Sequence, residues 1–140
     1  MTIRKLFTWS IAIAAFGAML YTCALPGVFP ADDDSAGFAG TYTVNGVDPL
    51  GVDYSGTVTI VETSVASEYE IEWIVTGVIH QGLGRLNGDS FVAHWSTIAS
   101  GGGTGSGVAS YTVQPDGRLL GSKTISGFDL AATEEIFPAP

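Results

Sequence analysis

The alternating side chains of residues 69–95 constrain the fold of this chain more than any other feature of its sequence. From residue 69 to residue 75, large apolar residues alternate mainly with glutamates, which is the period of two expected of a half-buried β-strand. Two turn-forming pairs, Thr76-Gly77 and Asn87-Gly88, divide the remainder into two more strands. An Asn-Gly pair favours a type I′ turn, because both central residues of that turn need positive φ. The stretch therefore predicts three consecutive antiparallel strands.

The same turns predict which side chains of these strands lie beside one another. A two-residue turn at 87–88 pairs His80 with Trp95, and a two-residue turn at 76–77 pairs His80 with Trp73. All three side chains then point to the same face of the sheet. We therefore predict an internal cluster of Trp73, His80 and Trp95.

Three interpretations of this cluster stay open. It is a packed core with a hydrogen-bonded histidine, because aromatic residues dominate core burial, or it is a ligand pocket in the mouth of a barrel, where a few polar groups line an apolar space. A metal site is the third and least favoured interpretation, since His94 belongs to the opposite face and too few ligands remain. Gly82 and Gly84, on the same face as the cluster, are interpreted as room left for bulky rings such as Phe91.

Charge and residue content exclude several classes of function. The chain has 14 acidic and 5 basic residues, a net charge of −9, which disfavours nucleic acid as a partner because phosphate binding needs a basic patch. Its one cysteine, Cys23, cannot form an intrachain disulfide. The serines lie in predicted strand faces and glycine-rich turns, where no base and orienting group accompany them. We therefore predict a protein that is not an enzyme and has neither a cofactor nor a metal.

The N-terminal segment has the layout of an export signal or a membrane anchor. Arg4 and Lys5 precede an uncharged, mostly apolar run from residue 6 to residue 25, and three aspartates follow at 32–34. Three fates stay open: cleavage after Ala24, retention as an anchor helix with a cytoplasmic N-terminus, and, least favoured, lipidation at Cys23. Each fate predicts a domain in the periplasm or on the extracytoplasmic face of the inner membrane. A retained helix would bind the membrane or a membrane-protein complex through residues 6–25.

The remainder of the chain predicts an all-β domain. Residues 26–38 are assigned to a linker and residues 39–137 to the β domain, in which no segment has a helical period. About eight short strands separated by turns predict an antiparallel up-and-down meander, as a small barrel or barrel-like sheet preceded by the N-terminal hydrophobic helix. Partial closure of so small a sheet would leave an edge that a protein partner or another copy can pair with. The glycine-rich run 100–107 predicts a flexible loop that could gate a pocket at the barrel rim.

Several motifs of the β domain resemble those of a known group of proteins. The run GTYTVNGVDPLGVDYSGTVTI, followed by IEW, GRLNGDSF, YTVQPDGRLLG and a late TEE, is similar to the pattern of small exported proteins of alphaproteobacteria. Some members of that group are labelled fibronectin-binding proteins. The similarity covers nearly all of residues 40–135, and it implies a shared fold more than a shared activity. Members carry a cysteine pair near the third and fourth strands, which this chain lacks.

Three functions follow as hypotheses. The first is a non-catalytic exported binding or structural domain, as an accessory subunit of a membrane protein complex with its β domain on the periplasmic side. The second is a barrel that carries a small molecule through Trp73, His80 and Trp95. The third is an adhesin-like surface protein. A retained helix would favour the first hypothesis, and a hollow barrel with a lined mouth would favour the second.

Overall fold

Eight antiparallel strands follow one another along the chain in the computed structural model, which describes residues 37–101 and 103–140. Each strand pairs with the next, and β8 pairs with β1, so the sheet closes into an up-and-down barrel. The predicted fold class is therefore confirmed, with full rather than partial closure. The strands are β1 (Gly40–Val47), β2 (Asp53–Glu62), β3 (Glu68–Val75), β4 (Val78–Asn87), β5 (Ser90–Ala99), β6 (Ser106–Val113), β7 (Leu119–Thr124) and β8 (Ala131–Pro138).

The N-terminal predictions lie outside the described residues. These are the hydrophobic helix of residues 1–25, the site at Cys23 and most of the linker. Within residues 37–101 and 103–140, no helix is long and apolar enough to span a bilayer. Phe38 was assigned to the end of the linker, but it is a buried member of the barrel core.

The β3–β4 turn has the predicted geometry. Val75 pairs with Val78, which leaves Thr76 and Gly77 as the two central residues, with φ of 48° and 78°. Positive φ at both positions is the signature of a type I′ turn. The turn therefore places His80 opposite Trp73, as predicted.

The predicted β4–β5 register is wrong, because the two central residues of the turn lie one position later in the sequence than predicted. Asn87 pairs with Ser90, so the central residues are Gly88 and Asp89, and of these only Gly88 has a positive φ, at 62°. Positive φ at the first central residue alone is the pattern of a type II′ turn, which favours glycine there. Cross-strand partners therefore shift by two residues, which keeps every side chain on its predicted face.

One consequence of this shift concerns His80, which now pairs with Thr97 rather than with Trp95. Trp95 lies opposite Gly82, and the β4–β5 ladder is irregular between Ile79 and His80. The predicted contact forms nevertheless, because the rings of His80 and Trp95 lie side by side with their centroids 4.6 Å apart. The predicted cross-strand pair of His80 and Trp95 is therefore wrong, but the predicted proximity of their rings is confirmed.

Inward-facing residues of nearly every strand fill the barrel. Strand β4 differs, because its buried positions are Gly82 and Gly84. A Cβ at Gly84 would lie 2.6 Å from Cζ of Phe91, and one at Gly82 would lie 3.3 Å from Cζ3 of Trp73. The interpretation of these glycines as room for rings is confirmed. The buried apolar residues are Phe38, Tyr42, Val44, Val58, Ile60, Tyr69, Ile71, Trp73, Val75, Phe91, Ala93, Trp95, Ala109, Tyr111, Leu119, Ala132 and Ile136.

Aromatic packing closes one end of the barrel. The ring of Phe38 contacts Tyr69 and Phe91 edge-on, with centroid distances of 4.8 and 5.0 Å. Tyr42 fixes this segment in place, because its hydroxyl donates a 2.6 Å hydrogen bond to the carbonyl oxygen of Phe38. We call this the closed end. The opposite end, where the β1–β2, β3–β4, β5–β6 and β7–β8 connections lie, is called the open end.

Candidate functional site

A buried lysine is the central feature of the open end. Lys123 of β7 points inward, and only 4% of its surface is exposed. Its Nζ lies 4.1 Å from the centroid of a Trp73 ring and 4.4 Å from that of a Trp95 ring. Both distances are within the range of cation–π attraction, which is strongest where water is excluded. Two tryptophans of the predicted cluster therefore flank a cation.

His80, the third residue of the predicted cluster, is the hydrogen-bond partner of that lysine. Its Nδ1 lies 2.7 Å from Nζ of Lys123. Burial and then the positive charge of Lys123 lower the pKa of His80 to about 4, so the ring is neutral near neutral pH. A charged ammonium can only donate, so Nδ1 accepts the hydrogen bond and the ring proton resides on Nε2.

A buried carboxylate lies on the adjacent strand. Glu134 of β8 accepts hydrogen bonds from two tyrosines, at Oε1 from Tyr54 over 2.5 Å and at Oε2 from Tyr111. The hydroxyl of Tyr111 in turn accepts a 3.2 Å hydrogen bond from Nε1 of Trp73. Burial, and then the negative charge of Glu134, raise the pKa of both tyrosines well above the usual value, so both remain donors.

Two glycines make this arrangement possible. Gly46 of β1 pairs with Tyr54 of β2 on one side and with Glu134 of β8 on the other. Gly121 of β7 likewise pairs with Tyr111 of β6 and with Glu134. A Cβ at Gly46 would lie 2.3 Å from Cζ of Tyr54, and one at Gly121 would lie 2.7 Å from Cδ1 of Tyr111. Each tyrosine therefore crosses a whole strand to reach the carboxylate, and it does so over a position without a side chain.

Lysine and carboxylate share one cavity of about 350 Å³ at the open end. Burial lowers the pKa of Lys123 to about 8, and the nearby charge of Glu134 opposes that shift. The cavity therefore joins an ammonium, a carboxylate and a neutral imidazole in a largely apolar space. Its walls are formed by Asp48, Pro49, Val52, Asp53, Tyr54, Val75, Thr76, His80, Trp95, Lys123, Ile125, Ala132 and Glu134.

The glycine-rich connection between β5 and β6 borders a second groove at this end. The described part of that loop, Ser100, Gly101 and residues 103–105, forms one wall of a groove of about 660 Å³. His80 and Trp95 line this groove as well as the cavity. Gating of the cavity by this loop stays a prediction.

The structure brings together all three residues of the predicted cluster and adds partners that the sequence analysis did not name. Trp73, His80 and Trp95 meet around Lys123, whereas His94 is exposed on the outer face as expected. Tyr54 is one of these added partners, through its hydrogen bond to Glu134. Ligand binding by this cluster stays a prediction.

The alternation of inward and outward side chains could have identified Lys123 and Glu134, which the sequence analysis did not name. Lys123 has the parity of the buried Leu119 on β7, and Glu134 has that of the buried Ala132 and Ile136 on β8. Alternation alone would therefore have predicted that both charged side chains point inward.

Within residues 37–101 and 103–140, no three histidine, cysteine, aspartate or glutamate side chains are grouped so that they could hold a metal ion.

Two solved structures share this architecture. A redesigned β-barrel aligns with 76% of this chain and 95% of its own length, at 14% identity and a TM-score of 0.59. A de novo designed fluorescence-activating β-barrel aligns with 76% of this chain and 98% of its own, at 17% identity and a TM-score of 0.58. These likenesses show the fold alone, a small closed β-barrel. No family model and no curated protein matches the chain.

Proposed function

We propose that this barrel reversibly binds a small, neutral, mainly apolar molecule in the cavity at its open end. The observation that carries the proposal is the cavity itself, where Trp95, His80, Lys123 and Glu134 converge on one space of about 350 Å³. Small-molecule sites are typically concave and mostly apolar, with a few polar groups that orient the ligand, and they measure about 300–1,000 Å³. The cavity lies at the lower end of that range, so we infer a ligand of one or two rings.

The charges around the cavity support a neutral ligand. Lys123 and Glu134 bring opposite charges into the same space, and each is only 4% exposed. Asp48 and Asp53 add carboxylates to the wall of the cavity, in a chain whose net charge is −9. An anionic ligand would be repelled on approach. A cation would compete with Lys123 for the faces of the two tryptophans.

Two hypotheses from the sequence rank behind this proposal. The role of an accessory subunit in a membrane complex depends on residues 1–25, and the adhesin-like role depends on the labels of similar proteins. Neither hypothesis accounts for a buried lysine between two tryptophans. The carrier hypothesis uses both tryptophans and His80, which surround that lysine, and we therefore place it first.

Nuclear magnetic resonance of nitrogen-labelled protein tests the proposal, with cuminyl alcohol as the probe. This neutral aromatic alcohol should shift the indole N–H signals of Trp73 and Trp95 in a saturable way. The backbone amides of Tyr42 and Gly88, which belong to the closed end, serve as internal references and should stay in place. Absence of shifts up to the solubility limit, or equal shifts at both ends, would contradict the proposal.

A matched pair of variants adds a steric test. Ala132→Phe fills the cavity from a wall position that is 6% exposed and should abolish the shifts. Val92→Phe adds the same ring at a position that is 40% exposed on the outer face and should leave the shifts unchanged. Dispersed amide signals of both variants would establish that each one is folded. Saturable binding to a folded Ala132→Phe variant would place the ligand elsewhere and overturn the proposal.

A further inference from the structure

The lysine at the centre of the open end is unusual in its surroundings. The sequence contains two lysines, Lys5 and Lys123, and only Lys123 belongs to the described residues. The ion pairs of the described residues involve Arg85 and Arg118, and none includes Lys123. Its nitrogen instead contacts a neutral imidazole and two aromatic faces. An ammonium without a direct ion pair, in a site where burial disfavours its charge, loses its proton more readily than an exposed one.

We propose that Lys123 captures an aldehyde ligand as a reversible imine inside the cavity. The inference rests on the proposed function, since it requires the ligand to enter the same space. Lys123 lines the cavity wall together with His80 and Trp95, so a carbonyl carbon in the cavity can approach its Nζ. The ligand class is a neutral aromatic aldehyde of one or two rings.

The chemistry needs only the aldehyde and the neutral amine. The nitrogen lone pair of Lys123 forms a bond to the carbonyl carbon, and the π electrons of the carbonyl move to its oxygen, giving a carbinolamine. The carbon–oxygen bond then breaks, and the two protons of the amine depart on that oxygen as water. The product is an imine between the ligand carbon and Nζ, and no oxidant or reductant takes part. Water reverses both steps.

The residues around Nζ favour these steps. His80 Nδ1, at 2.7 Å, can accept a proton from the nitrogen and return it to the departing oxygen. The faces of Trp73 and Trp95, which now contact the ammonium, would equally stabilise a protonated imine. The pKa of Lys123, lowered to about 8 by burial, leaves roughly a tenth of the amine neutral near neutral pH. An ordinary lysine has far less neutral amine there.

Reductive trapping of the full chain tests the inference. The protein is incubated with cuminaldehyde and sodium cyanoborohydride, which reduces an imine to a stable secondary amine. Trypsin does not cleave after an alkylated lysine, so trapping at Lys123 yields a probe-bearing peptide of residues 119–140. We expect trapping at Lys123 to be about tenfold or more faster in the folded protein than in urea. Lys123→Arg should abolish trapping at this site, and Lys5→Arg should leave it unchanged.

The outcomes separate this inference from the proposed function. If cuminyl alcohol shifts the signals of Trp73 and Trp95 but cuminaldehyde is not trapped at Lys123, the imine is refuted and the binding function stands. Equal trapping rates at Lys123 in folded and urea-unfolded protein also refute it. If the alcohol does not bind and the aldehyde is not trapped, both proposals fail. The trapped site is mapped on the wild-type chain, so the result does not depend on whether Lys123→Arg folds.

Discussion

Replacing Lys123 with methionine should change how stability depends on pH. Burial lowers the pKa of Lys123 from the ordinary 10.5 to about 8. Between these two values the unfolded chain binds a proton at this lysine and the folded chain does not. The free energy of unfolding of the wild-type protein therefore gains a contribution as the pH rises through this window. Lys123→Met lacks that contribution, while its length and apolar stem remain similar.

The expected magnitude follows from the size of the shift. One pKa unit corresponds to about 1.4 kcal/mol. Measurements from about pH 7 to about pH 10 cover most of the range between the two pKa values. Over that range the wild-type protein should gain ~2.5 kcal/mol relative to Lys123→Met. Other groups, including the tyrosines, titrate in both proteins and largely cancel in the difference. The free energy of unfolding of Lys123→Met, relative to that of the wild type, should therefore be highest at neutral pH and lowest at alkaline pH.

Urea unfolding of both proteins, followed by circular dichroism across this pH range, measures the difference. Arg85→Met is the matched control, because it removes a positive charge from an arginine side chain that is 66% exposed. Its difference from the wild type should stay constant. A constant difference for Lys123→Met as well would falsify the inference that this amine is buried and perturbed.

Three further predictions concern packing, hydrogen bonding and acid. Gly121→Ala places a Cβ 1.9 Å from the Ser110 carbonyl oxygen and should lower the free energy of unfolding by about 1–3 kcal/mol in urea, whereas Gly103→Ala, with open space around it, should be nearly neutral. Tyr42→Phe removes a buried hydrogen bond and should cost about 1–3 kcal/mol, measured by thermal unfolding; an unchanged midpoint would contradict this. The pKa of His80, lowered to about 4, means that its contribution to stability is complete above about pH 6.5 and declines as the pH falls towards 4. His80→Leu should show a weaker loss of stability in acid, and identical acid profiles would refute the assignment.

Local patterns were sufficient to predict most of the fold. The alternation of apolar and polar residues defined the strands, and turn-forming pairs separated them. The β4–β5 turn was misassigned because Asn87-Gly88 and Gly88-Asp89 both have turn chemistry, one for type I′ and the other for type II′. Only the closed barrel, with its packing around Gly84, selects between two registers that keep the same faces.

The site was predicted in part for a related reason. Trp73, His80 and Trp95 come from three consecutive strands, so hairpin registers bring them together. Lys123 and Glu134 join them only because the barrel closes, since β7 and β8 lie far along the chain from β3 and β4. The strand crossings of the two tyrosines depend on glycines elsewhere in the sequence, and no local pattern reveals such a relation.

The even number of strands has a practical consequence for engineering this chain. Because β1 begins and β8 finishes at the end plugged by Phe38, Ala139 donates a hydrogen bond to the Thr41 carbonyl oxygen and the two flanking segments run side by side. A short peptide could join them, and the chain could be reopened in a connection at the other end, giving a circular permutant with the same eight ladders. A reporter fused after residue 140 would likewise leave the cavity mouth unobstructed. The four connections that surround the mouth could then be randomised without disturbing either attachment point.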